Sequence, residues 1–156
     1  MWKNHIIRLY VNKMDSEIKR NIILDHYQNP RNKGLTGNKD YKTINMNNES
    51  CIDEVNLEIK VENGIIKDIK FDGEACAICT SSSSIMTDTL IGKTTEEAKK
   101  ILQNFLNMLD EKPYDKEILE EAIVYDDIHK QPNRKKCALL SWWGIEKLLN
   151  ELEAQK

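Results

Sequence analysis

Residues 54–61 (EVNLEIKV) alternate without a fault, with Val55, Leu57, Ile59 and Val61 on one side and Glu54, Asn56, Glu58 and Lys60 on the other. A period of two over eight residues specifies a half-buried strand, because successive side chains of extended backbone point to opposite faces. A second run, IIKDIKF, follows the turn signal Asn63-Gly64, so the two runs are expected to form an antiparallel hairpin. A two-residue turn would set Ile59 against Asp68 and Leu57 against Lys70, which brings charge onto the apolar face. A three-residue turn, Glu62-Asn63-Gly64, sets Val61 against Ile65, Leu57 against Ile69 and Val55 against Phe71, and offers Gly64 for the left-handed position. The second register is preferred. Extended past the strands, it puts Asp53 opposite Gly73 and Cys51 opposite Ala75, so Cys51, Asp53 and Cys76 are expected to meet at one end of the sheet.

Helical patterns surround the hairpin. MDSEIKRNIILDHYQNP reads as a helix from an Asp15 or Ser16 cap, with Ile18, Ile22, Ile23 and His26 on one side, ending before Pro30. NPRNKGLTGNKD is then loop. After Cys76 the chain turns helical through Ile78, Ile85, Met86 and Leu90 and stops at Gly92. Thr94, three residues before Glu97, makes a capping box for a helix whose stripe of Ala98, Ile101, Leu102, Phe105 and Leu109 belongs to the core. The acidic stretch Asp115 to Asp127 reads as a short helix and a loop with a solvated face. Pro132 and Asn133 open a last helix that carries Cys137 in its first turn and Ala138, Trp142, Ile145, Leu149 and Leu152 at steps of three and four. Of the adjacent Trp142 and Trp143, at least one packs in the core. Residues 1–13 share no period with the helix after them and read as an N-terminal extension, either disordered or upstream of a true start at Met14; residues 14–156 form a single domain.

A chain of 156 residues with 40% hydrophobic residues sustains one core and is short for two. Its 23 basic and 26 acidic residues leave a net charge of -3, which lacks the basic field of a nucleic-acid binder. The apolar stretch Ile6 to Val11 is broken by Arg8 and precedes no small-residue cleavage site, so neither a signal peptide nor a membrane span is expected, and the cytoplasm is the expected compartment. There, four cysteines serve better as metal ligands or reactive thiols than as disulfides. Cys76 at a strand-to-helix junction and Cys137 near a helix start are both expected to ionise more readily than an ordinary thiol. Three thiolates and one carboxylate complete the tetrahedral shell of zinc. Spacing alone does not decide the matter, because no compact zinc-finger pattern is present and buried cysteine is a common core residue.

Four segments in order, ILDHYQNPRNKG (23–34), MNNESCID (46–53), FDGEACAICTSSSSIMTD (71–88) and RKKCALLSW (134–142), resemble the U-type iron-sulphur cluster assembly proteins, the family of IscU, SufU and the N-terminal part of NifU. The resemblance implies an α+β fold of the SufE/NifU-like kind, a small three-stranded antiparallel sheet with helices packed on it. It also implies the metal ligands Cys51, Asp53, Cys76 and Cys137. IscU-type scaffolds carry a His immediately before the third cysteine and a shorter segment after the second; Lys136 and the long segment here are similar to the SufU-like branch. That branch implies a zinc-dependent, sulfurtransferase-like acceptor that takes persulfide sulphur from a cysteine desulfurase and passes it to a downstream cluster scaffold or apo-protein. Neither nucleic acid nor membrane is an expected partner.

Cys51 is the implied catalytic thiol, since a loop before a strand moves more cheaply than a helix start. Arg134, three residues before the last cysteine, is implied to pair with Asp53 or to hold the site's negative charge. The alternatives are a scaffold that binds iron or a [2Fe-2S] cluster, and a non-catalytic module with structural zinc. Two departures stand out. Ile52 replaces the family's usual Gly, with strain expected if that position needs a positive backbone angle. Cys79 replaces a common Ser and adds a thiol one helical turn from Cys76, as an alternative ligand, a resolving thiol or a buried small residue. His129 sits in a polar loop and is a weak nitrogen donor for a metal.

Overall fold

The structure is a computed structural model in which residues 15–48 and 52–155 are described. The N-terminal extension, the start at Met14 and Cys51 lie outside the described residues. Helix α1 (Ser16–Gln28) begins where Asp15 accepts a hydrogen bond from the Ile18 amide at 2.9 Å, as its sequence anticipates. Strands β1 (Lys42–Asn47), β2 (Glu54–Glu62) and β3 (Ile65–Asp72) come next, then helices α2 (Ala77–Leu90) and α3 (Thr95–Leu109), two 3₁₀ segments (Glu117–Tyr125 and Ile128–Lys130) and the long helix α4 (Pro132–Ala154). The sheet is antiparallel in the order β1-β2-β3. The expected α+β architecture is present, and β1 is the strand that sequence patterning did not locate.

The hairpin register differs from the preferred one. Asn63 and Gly64 form a two-residue turn, both with positive φ (53° and 73°), and next to it Glu62 pairs with Ile65 and Val61 with Ile66. The pairing then shifts, so that Lys60 meets Asp68, Ile59 meets Ile69 and Leu57 meets Phe71. Lys67 is the extra residue of a bulge in β3. The bulge resolves the conflict that argued against a two-residue turn. It rotates Ile66 inward beside Ile69 and Phe71 while Lys67 remains exposed.

The apolar face built in this way, with Met46, Val55, Leu57 and Ile59 from the other strands, packs against α4. Contact is close because Gly144 has no side chain: a Cβ there would run into Leu57 Cδ1 and come within 2.8 Å of Met46 Cγ. Helix α2 is the hub and touches α1, α4, β3 and the first 3₁₀ segment. Its serine tract, Ser81 to Ser84, is wholly buried and hydrogen-bonded. Trp142 is fully buried, stacks on Phe105 with centroids 3.9 Å apart, and donates from Nε1 to Ser82 Oγ at 3.0 Å; Trp143 is half-buried. The acidic stretch is more than a solvated face. Leu119, Ala122, Ile123, Val124 and Tyr125 are buried in the core, and the charges at Glu121 and Asp126 are engaged by His26 and Lys19.

Candidate metal centre

The site forms where β2 begins, α2 begins and the early turns of α4 pass. Asp53 stands one residue ahead of β2 and is 1% exposed. Its Oδ1 accepts the Cys76 backbone N–H at 2.7 Å, and the Cys76 thiol lies 3.6 Å from its Oδ2 as donor. The sequence register had set Asp53 opposite Gly73. The bulge moves this pairing along: the Glu54 amide donates to the Glu74 carbonyl at 2.8 Å, which brings Asp53 level with Ala75 and beside Cys76. The convergence of Asp53 and Cys76 therefore holds, through a different register.

Gly73 makes this approach possible. It has φ +133°, and a Cβ on it would collide with the Glu54 carbonyl oxygen. Sequence reasoning passed over this residue, although the Asp72-Gly73 turn dipeptide ahead of Cys76 was a signal for it.

Cys76 is the N-cap of α2, and its Sγ accepts the Cys79 amide at 3.4 Å. Cys137 lies in the second turn of α4, not the first, and its thiol donates to the Asn133 carbonyl at 3.4 Å. It is 5% exposed. Ligand atoms of Asp53, Cys76 and Cys137 all lie within 4.8 Å of one another. The expectation of easy ionisation fails for Cys137. Burial pushes its thiol far up, and the hydrogen bond with Asp53 and the neighbouring charge of Cys76 push the same way. Three anion-forming groups crowded away from water resist sharing charge unless a cation joins them.

The donor set fits zinc. Two sulphurs bound tetrahedrally at about 2.3 Å are roughly 3.8 Å apart, so a separation of no more than 4.8 Å leaves closure of roughly one ångström. Other candidates fall outside the cluster. Arg134 is exposed. Lys136 is exposed as well. His129 is turned to the Asp126 carbonyl (2.9 Å) and Glu111 (3.4 Å). Cys79 is 0% exposed and belongs to the core. Ile52 is 87% exposed, so its side chain stands in solvent and does not crowd the carboxylate beside it.

Comparison with known proteins gives a consistent picture. The chain is 41% identical over 129 residues to the zinc-dependent sulfurtransferase SufU of Bacillus subtilis (strain 168), covering 82% of this chain and 86% of that one. It is 37% identical over 131 residues to the iron-sulfur cluster assembly scaffold protein IscU of Streptococcus pyogenes serotype M1, covering 82% and 80%. A crystal structure from Fervidobacterium islandicum AW-1, described as a candidate iron-sulfur cluster assembly scaffold protein for the SUF system, superposes with a TM-score of 0.76 at 33% identity, covering 82% of this chain and 93% of that one. The profile of the NifU-like N terminal domain matches residues 18–138, and with these likenesses the chain belongs to the NifU-like N-terminal domain family.

Proposed function

We propose that this protein is a zinc-dependent sulphur-transfer protein of iron-sulphur cluster assembly. It receives persulfide sulphur from a cysteine desulfurase on Cys51 and hands it to a cluster scaffold or apo-protein. The observation that carries this reading is the cluster of buried Asp53 and Cys137 with half-buried Cys76, ligand atoms within 4.8 Å, in a chain 41% identical to a zinc-dependent sulfurtransferase. Residues 14–156 act as one domain, in the cytoplasm.

Asp53, Cys76 and Cys137 hold the ion, with Cys51 as the fourth ligand. Bound zinc supplies positive charge that stabilises thiolates without redox chemistry of its own. In the transfer step, the Cys51 thiolate attacks the outer sulphur of the desulfurase persulfide. A bond forms between Cys51 Sγ and that sulphur, the donor's sulphur–sulphur bond breaks, and the electron pair leaves on the donor cysteine as thiolate. The proton of the persulfide stays on the transferred sulphur. Three thiolates and a carboxylate exceed the charge of one zinc ion by two, and Arg134, three residues before Cys137 on α4, offsets that excess through space.

The test is sulphur acceptance from a desulfurase fed with radiolabelled cysteine. Wild-type protein is expected to carry label and Cys51→Ser to lose it; acceptance at the normal rate by Cys51→Ser overturns the assignment. A second reading, an iron-sulphur scaffold, draws support from the likeness to the Streptococcus pyogenes IscU. Iron in the protein as isolated, and a coloured cluster that forms anaerobically and transfers to an acceptor, would favour it over the zinc reading.

A further inference from the structure

Cys79 has no part in the metal triad, yet the fold places it directly behind one of the ligands. We propose that Cys76 and Cys79 form a second, redox-active site: a Cys-Ala-Ile-Cys dithiol that exchanges with low-molecular-weight disulfides, and whose closure withdraws a ligand from the metal.

Three observations support this. Cys76 is the N-cap of α2, with extended backbone (φ −67°, ψ 170°), so its side chain folds back over the first turn and its Sγ lies 3.4 Å from the Cys79 amide. A disulfide needs Cβ atoms about 3.5–4.5 Å apart, whereas residues three apart on a helix have theirs about 5–6 Å apart. Because Cys76 is the N-cap with extended backbone, outside the helical turns, rotation there can supply the remaining distance while the helix stays in place. The two thiols also differ in access. Cys76 is half-buried and can meet a small disulfide, whereas Cys79 is 0% exposed and is shielded from one.

The chemistry is two exchanges. The Cys76 sulphur attacks a disulfide R–S–S–R, forming Cys76–S–S–R and expelling R–S⁻, which takes up the Cys76 proton. The Cys79 sulphur then attacks the Cys76 sulphur and expels the second R–S⁻, which takes up the Cys79 proton. Two protein thiols are oxidised to one disulfide, and the added disulfide is reduced to two thiols. A dithiol reductant reverses both steps at the accessible Cys76 sulphur. While the disulfide stands, Cys76 has no thiolate to offer a metal, leaving Asp53 and Cys137 of the triad.

The test uses full-length reduced protein treated with oxidised glutathione, then alkylated and digested with trypsin. The segment 71–93 holds both cysteines and no Lys or Arg before Lys93, whereas Cys51 falls in 43–60 and Cys137 in 137–147. The expected product is segment 71–93 without alkyl groups and lighter by two hydrogen atoms. Recovery of 71–93 alkylated at both sites, carrying glutathione on either, or joined to 43–60 or 137–147 overturns the proposal. On zinc-loaded wild-type protein, zinc release read with a chromogenic chelator is expected to follow the growth of the closed 71–93 segment, whereas Cys79→Ser and Cys79→Ala are expected to release zinc only with glutathione held on 71–93. Wild-type release that runs ahead of closure, or closure without release, overturns the coupling to the metal. Neither measurement involves a desulfurase, so failure here and failure of sulphur acceptance are distinguishable.

Discussion

Replacing Asp53 by Asn separates the carboxylate's charge from its hydrogen bonds. The amide oxygen can still accept the Cys76 N–H now met at 2.7 Å, and the amide N–H₂ can face the Cys76 sulphur now 3.6 Å away, so the local shape survives. What disappears is one anion among three donors within 4.8 Å. In metal-free protein the Cys76 thiol donates to this carboxylate and burial keeps Cys137 protonated, so no thiolate stands beside it and the cost is that of one carboxylate held away from water. In metal-free protein the variant is therefore expected to match or exceed wild-type stability, by on the order of 1 kcal/mol. In zinc-loaded protein the sign reverses, because an anionic ligand has gone. Loss of residues that merely support metal ligands costs about 10–100-fold in affinity, so loss of a direct ligand is expected to cost at least about 100-fold, or about 2.7 kcal/mol of metal-linked stability. Urea midpoints with chelator and with excess zinc, together with zinc competition against a chromogenic chelator, measure both arms. The reasoning is refuted if Asp53→Asn binds zinc within about threefold of wild type, or if the metal-free variant is less stable than wild type by more than about 1 kcal/mol.

The remaining expectations concern the frame around the site. His26, 3.4 Å away, lowers the Glu121 carboxyl below its usual 4.5, so this group contributes stability that is present above pH 4.5 and lost as pH falls below it. Glu121→Gln is expected to flatten the acid limb of a stability–pH curve by on the order of 0.5 kcal/mol, given its partial exposure, and an unchanged limb would count against the pairing. Gly144→Ala sets a Cβ against Leu57 and Met46. Overpacking of about 1–3 kcal/mol is expected to outweigh a helix-propensity gain of about 1 kcal/mol, and a raised urea midpoint would show that the sheet and α4 can separate freely. Ser82→Ala removes a bond to the Ala138 carbonyl and strands the Trp142 indole N–H, so a loss of about 1–3 kcal/mol is expected. Because Ala138 adjoins Cys137, zinc affinity is expected to fall as well, and unchanged zinc competition would sever this link between frame and site.

Much of the fold could be read from local signals. The capping box at Thr94 and Glu97 forms as expected, with both of its bonds present. So does the Asp15 cap. These succeed because a cap is settled by neighbours three residues away. The hairpin register failed for the opposite reason. A bulge is invisible to strict alternation, and only Ile66, in place of Ile65, being driven into the core makes Lys67 redundant. Strand β1 was missed because KTINMN carries only Ile44 and Met46 on its inner face, too little to register as alternation. For the site, Asp53 and Cys76 were legible together from the strand pattern and Cys137 from the family resemblance, while the resistance of Cys137 to ionisation was not legible. Its position in the second turn of α4 and its burial beside a carboxylate depend on how three elements meet.

A metal centre divided among a strand start and two helices needs its ligands placed to within about 0.5 Å. Apolar packing alone is poorly suited to this, since hydrophobic burial has no preferred direction and a helix can rotate or slide on it. Hydrogen bonds do have direction. The serine tract of α2 supplies them to three different neighbours: Ser84 Oγ meets His26 Nδ1 and the Arg31 amide, both at 2.8 Å, Ser81 meets the Tyr125 hydroxyl, and Ser82 donates to the Ala138 carbonyl at 2.6 Å. The helix capped by Cys76 and the helix carrying Cys137 are thus indexed to each other one residue from the second ligand. Such a run of hydroxyls would be costly in the core if any were unmet. On the facing side, however, Ser141 Oγ, one turn beyond Cys137, is buried without a hydrogen-bond partner among the described residues. A satisfied serine tract beside one unsatisfied hydroxyl places the hydrogen-bonding cost of this frame one turn from Cys137, in the helix that Gly144 lets approach the sheet closely.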